Sequence, residues 1–98
     1  MGWATTHIEK LRGGETVHFR PHGSSMSGRI ESGQLVTVEP VLPANIARND
    51  IVLCTVNGNQ FLHIVKSIGT DGRFLIGNNR GRTNGWTRAI HGRVTAIA

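Results

Sequence analysis

Cysteine is nearly missing from this 98-residue chain, with Cys54 standing alone. No internal disulfide can form, so nothing points to an oxidising compartment. Long apolar runs are missing as well. None approaches the ~20 residues a membrane helix needs, and Met1–Gly14 lacks the apolar stretch of a secretory signal. Aromatic side chains are few: Trp3, Phe19, Phe61, Phe74 and Trp86. Metal-ligand spacing does not occur among the five histidines. His18 and His22 are four apart, but Pro21 and Gly23 deny them a helix face, so no metal or other cofactor is expected. Together these absences predict a cytoplasmic, soluble domain with no membrane partner.

Acids are unevenly distributed. All six (Glu9, Glu15, Glu31, Glu39, Asp50, Asp71) precede residue 72, while Arg73, Arg80, Arg82, Arg88 and Arg93 follow with no acid among them. A basic end attracts phosphate backbones through a salt-sensitive, sequence-blind attraction. A solvated basic face is the simpler account.

Glycine is abundant, at 13 residues, which favours short strands and tight turns over a helical bundle. One domain is expected over 1–98, since domains commonly run to about 100–150 residues. Within it a helix and arm occupy 1–14 and a β domain 16–98. Thr6-His7-Ile8-Glu9 has the form of a capping box and predicts a helix from Thr6 to Arg12, ended by Gly13-Gly14. The apolar period then becomes two. Strands are predicted at Thr16–Arg20, Gln34–Glu39, Asp50–Val56, Gln60–Ile68, Arg73–Ile76 and Ile90–Ile97. Asn57-Gly58 between two of them is a strong hairpin signal. Pro40, Pro43 and Ala44–Arg48 make a connection with at most one helical turn. The fold class is mostly β, antiparallel and compact.

Strand Gln60–Ile68 would place Lys66 on one face with Leu62, Ile64 and Ile68, and His63 on the other with Phe61, Val65 and Ser67. An amine in an apolar face is favoured in its neutral form, and a neutral lysine can take a proton from a serine hydroxyl. An edge lysine reaching out to water is the plainer alternative. Serines that could serve as nucleophile stand in Gly23-Ser24-Ser25-Met26, just ahead of a β-branched run.

These segments, in order, resemble the superfamily that joins LexA-type repressors, mutagenesis proteins of the UmuD type and bacterial signal peptidases. The Ser-Met motif reads Ser25-Met26 through Gly33, and the Gly-Asp-Ile-Val segment reads Asn49-Asp50-Ile51-Val52. The aliphatic-Val-Lys strand reads Ile64-Val65-Lys66-Ser67-Ile68. Gly-Asp-Asn reads Gly77-Asn78-Asn79, and the closing strand Ile90-His91-Gly92-Arg93-Val94. Gln34, Asn49, Ser67 and Asn78 depart from the pattern. The resemblance implies a single bent antiparallel β domain with a short N-terminal helix, and a serine peptidase, bacterial or phage-encoded, that cuts a partner protein or peptide in trans. Ser25 would be the nucleophile and Lys66 the general base. Amides around Ser24 and Ser25 would hold the oxyanion, Gly23 would leave room for the acyl group, and Met26 would fill a pocket beneath the turn. The 24 residues ahead of Ser25 place neither a helix-turn-helix nor a membrane anchor, so a minimal catalytic-type domain is expected. A homodimer is compatible with this reading.

Two rival functions keep the same scaffold: a catalytically silent module that binds and regulates a protein, and an Arg-mediated nucleic-acid binder. Gly77–Trp86 carries the second, since it could meet single-stranded nucleic acid by charge and stacking. Its alternative is a mobile loop beside the site with Trp86 packed down as an anchor.

Overall fold

In the computed structural model, which describes residues 2–98, one short helix leads into seven antiparallel strands. They are α1 (Thr5–Arg12), β1 (Val17–Phe19), β2 (Val36–Glu39), β3 (Ile51–Val56), β4 (Asn59–Ile68), β5 (Phe74–Gly77), β6 (Thr83–Thr87) and β7 (Ile90–Ile97), with a 3-10 turn at Pro43–Asn45. The strands form one sheet in the order β1-β2-β7-β3-β4-β5-β6.

β3 lies at the centre because its sequence, IVLCTV, has apolar groups for both faces. Ile51 and Leu53 join a first core with Ile8 and Leu11 of α1, Val36, Val38, Met26, Leu62 and Ile64. Val52, Cys54 and Val56 join a second with Val65, Phe74 and Ile76. Each fully buried aliphatic side chain contributes on the order of 1.5–3 kcal/mol, so a strand that feeds two cores anchors the domain. Cys54 is wholly buried in the second core. Burial pushes its thiol up to about 12.

The β3–β4 hairpin forms as the sequence predicts. Asn57 and Gly58 take φ +50° and +82°, the paired left-handed conformations of a type I′ turn. Pairing then runs from Val56 against Asn59 to Ile51 against Ile64 without interruption. The sheet is bent. β6 stands three strands from β3 in hydrogen-bonding order, yet the Thr87 hydroxyl donates to the Thr55 carbonyl at 2.6 Å.

Three local expectations are corrected. The helix begins at Thr5, and no side chain caps it. Ala4 is the N-cap, buried in the first core, and its N–H donates to Gln60 Oε1 at 2.8 Å across 56 residues. A tertiary acceptor thus replaces the capping box. Secondly, Gly77–Trp86 is not simply a loop, for its second half is β6. Thr83-Asn84-Gly85-Trp86-Thr87 has no apolar alternation, but an edge strand needs a ladder on one side only, and β5 supplies it. Trp86 is 42% exposed, with the Arg73 guanidinium 5.9 Å from its ring centre, and is not a packed anchor.

Thirdly, the aliphatic face assigned to Lys66 does not continue along β4. Val65 pairs with Ile76 and Ser67 with Leu75, which leaves Lys66 as the extra residue of a bulge. Leu62 and Ile64 are buried, Lys66 is half-buried, and Ile68 is exposed. Among the described residues no helix is long and apolar enough to cross a membrane.

Candidate active site

Ser25 sits in the loop that joins β1 to β2. The loop is closed at its base by Gly33 N–H to the Pro21 carbonyl at 2.8 Å and by the Arg20 guanidinium to the Gly33 carbonyl at 2.8 Å. Gly23 takes φ +116°, a conformation that favours glycine, and the chain then coils through one helical turn. Ser27 N–H reaches the Ser24 carbonyl at 3.1 Å, and Ile30 N–H the Met26 carbonyl at 2.8 Å. Met26 turns inward, only 6% exposed, while Ser24 and Ser25 face out.

The loop is tied to the sheet by Asn79, just beyond β5. Its N–H donates to the Ser25 carbonyl at 2.9 Å and its side-chain amide to the Ser27 carbonyl at 2.7 Å. Gly28 makes this approach possible, since a Cβ there would stand 2.9 Å from Asn79 Nδ2. Asn78 serves its own loop instead, its Oδ1 accepting from Arg80 N–H at 2.8 Å and Arg82 N–H at 3.0 Å. Gly77 lets the strands close up: a Cβ would stand 2.6 Å from the Arg82 carbonyl.

The hydroxyl of Ser25 meets His63. Its Oγ lies 3.2 Å from His63 Nε2, and His63 Nδ1 lies 2.7 Å from Asn84 Oδ1. An amide oxygen can only accept, so Nδ1 carries the proton and Nε2 offers its lone pair to the serine hydroxyl. That is the tautomer a general base requires. Asn84 reaches this position through a second bulge. Ile76 pairs with Gly85 and Gly77 with Thr83, so Asn84 is the unpaired extra residue whose side chain is re-aimed.

His63 is 8% exposed, and the Phe61 ring stacks on it at 5.0 Å between centroids. Burial is the main force holding its pKa below the ordinary 6.5, and the Lys66 cation acts in the same direction, while the Asn84 hydrogen bond opposes both. The imidazole is therefore neutral at pH 7 and able to accept a proton.

Among the described residues no hydrogen bond joins Lys66 to Ser25. The lysine stem lies over Gly77, where a Cβ would meet Cγ and Cε at 3.0 Å. Among the described residues no carboxylate pairs with it, the ion pairs there being Arg73–Asp71 at 2.7 Å and Arg93–Asp50 at 3.4 Å. Of the residues singled out in the sequence, Gly23, Ser24, Ser25 and Met26 share one loop, while Lys66 lies close enough to His63 for its charge to act on the ring. The Gly23 N–H is taken by Ser32 Oγ at 3.1 Å. The N–H groups of Ser24, Ser25 and Met26 donate no hydrogen bond among the described residues.

His63, Asn84 and Asn79 were not singled out from sequence. The available signal was a histidine in the middle of an apolar strand, a group whose burial has to be explained. Strict alternation argued against it by setting it opposite Lys66, and a bulge is invisible to alternation. No cluster of three metal-ligating side chains occurs among the described residues. Comparison with protein-family models, curated proteins and solved structures finds no match for this chain.

Proposed function

We propose that the domain is a serine peptidase in which Ser25 is the nucleophile, His63 the general base and Asn84 the residue that orients it. The observation that carries this reading is the continuous chain from Ser25 Oγ to His63 to Asn84 Oδ1, at 3.2 Å and 2.7 Å, with its tautomer fixed by the amide oxygen. Ser25 Oγ attacks the carbonyl carbon and His63 Nε2 takes the hydroxyl proton. The imidazolium then gives that proton to the departing amine, leaving an acyl-serine. Water attacks the ester, His63 takes its proton, and Ser25 leaves again as the hydroxyl. The unbonded amides of Ser24, Ser25 and Met26 would donate to the oxyanion that each step creates.

The motif order resembling the LexA and signal-peptidase superfamily supports a peptide bond as the substrate and that superfamily's type of bent sheet as the fold. The exposed hydroxyl suits a bond presented by a separate protein or peptide. Lys66, the base implied by the resemblance, takes a different role in this proposal: its charge disfavours protonation of His63.

A fluorophosphonate probe followed by intact-mass measurement tests the reading. One adduct is expected on the wild type, none on Ser25→Ala, and little on His63→Ala, while Lys66→Met still reacts. Labelling lost in Lys66→Met but kept in His63→Ala would return the base role to the lysine. A wild type that never reacts would favour a silent binding module.

A further inference from the structure

A cleft of about 460 Å³ opens beside Ser25 and His63. Trp3, Phe19 and Phe61 line it together with Met26, Ile30 and Leu62, and Arg20 and Glu31 add charged groups. A volume of this size lies in the range of small-molecule and side-chain pockets, about 300–1,000 Å³. The aromatic wall is built from a distance. Trp3 meets Phe19 edge-on at 5.7 Å, and His7 of α1 stacks on the other ring at 4.4 Å. The Trp3 indole N–H is fixed to the Gln60 carbonyl at 3.2 Å, so β4, which carries Phe61, also holds Trp3. Trp3 remains 55% exposed, an indole at the lip of an apolar cleft with its polar atom already satisfied.

We infer that this cleft is a specificity pocket for a bulky apolar or aromatic side chain on the acyl side of the bond that Ser25 attacks. The inference rests on the catalytic reading of Ser25 and His63 for its place in the reaction, but the chemistry of the pocket is independent of turnover. Three aromatic rings and three aliphatic groups offer a small side chain little to touch, whereas a planar ring can stack against Phe19 or Trp3. Arg20 and Glu31 also line the cleft, so the preference rests on its aromatic and aliphatic groups. The acyl side is indicated because Gly23, Ser25 and Met26 themselves line the cleft.

Two measurements separate the pocket from the chemistry. The first compares kcat/KM for the p-nitrophenyl esters of N-acetyl-phenylalanine and N-acetyl-alanine. A preference for phenylalanine of about 10²-fold is expected, as apolar pockets discriminate within that range. Trp3→Ala, at an exposed position, should narrow the ratio about tenfold. The second is a fluorescence titration of Ser25→Ala in a Trp86→Phe background, where Trp3 is the sole tryptophan. N-acetyl-phenylalanine amide should shift its emission saturably, and N-acetyl-alanine amide should not. Turnover without preference overturns the pocket and leaves the catalysis standing. A selective Trp3 shift without turnover supports the pocket and removes the catalytic reading. Neither turnover nor shift overturns both.

Discussion

The two arms of the site are held in different ways. His63 belongs to β4, which is hydrogen-bonded to β3 along one edge and β5 along the other. Its ring is further fixed by Phe61 and Asn84. Ser25 belongs to an exposed loop with left-handed glycines at Gly23, Gly28 and Gly33. Asn79 clamps the middle of that loop at Ser25 and Ser27, and the Arg29 guanidinium donates to the Asn49 carbonyl at 3.1 Å. His63 is thus positioned by many interactions of modest strength, and Ser25 by a few specific ones. In the proposed reaction, catalytic precision would be most vulnerable to changes at the loop, and stability to changes in the sheet.

The largest effect should come from removing the rigid arm's reactive group. His63→Ala should slow acylation of Ser25 by about 10³–10⁴-fold, in line with loss of a general base, as read by stopped-flow burst kinetics. Asn84→Ala comes next. It leaves both reacting atoms in place but frees the tautomer, and about 10²-fold loss is expected in kcat with KM little changed. Asn84→Asp should restore the orientation and move the rising limb of the pH profile upward, because a carboxylate favours the imidazolium.

Asn79→Ala attacks the other arm. Its backbone bond to Ser25 can persist while the amide clamp on Ser27 is lost, so a drop of about tenfold in kcat/KM is expected. Hydrogen exchange should quicken in the loop and stay unchanged in β4. Faster exchange in both would erase the distinction between the arms. The smallest effect should follow Lys66→Met, which keeps a long stem over Gly77 and removes the charge. The His63 pKa, depressed mainly by burial and secondarily by Lys66, should rise toward 6.5. The base form exists above that pKa, so the rising limb of the pH–rate profile should move to higher pH with its plateau unchanged.

Legibility in the sequence follows the same division. The β3–β4 hairpin is readable because its signals are local: two apolar runs and an Asn-Gly turn whose φ angles need those residues. Even the departure at Asn49 has a local reason, for its φ of +78° is one that glycine and asparagine accept most readily. The antiparallel character of the sheet follows from short strands and tight turns. The base does not follow, because it depends on contacts 38 and 21 residues apart in sequence. Two bulges, at Lys66 and Asn84, break the alternation from which side-chain direction is read. β6 is hidden for a related reason, since an edge strand with glycine and few apolar groups carries no periodic signal.

Cys54 gives the domain an internal clock. Its thiol is fully shielded in the second core, and with its proton held to about pH 12 it offers almost no thiolate at neutrality. Alkylating reagents can reach it only in molecules whose central strand has opened. The rate of carbamidomethylation by iodoacetamide therefore counts excursions of β3 away from the native state, without a chromophore or a denaturant. Because the chain has one cysteine, each modified molecule gains one mass increment and reports one event. Variants of the serine loop should leave that clock running at the wild-type rate, whereas variants that loosen the sheet should speed it up.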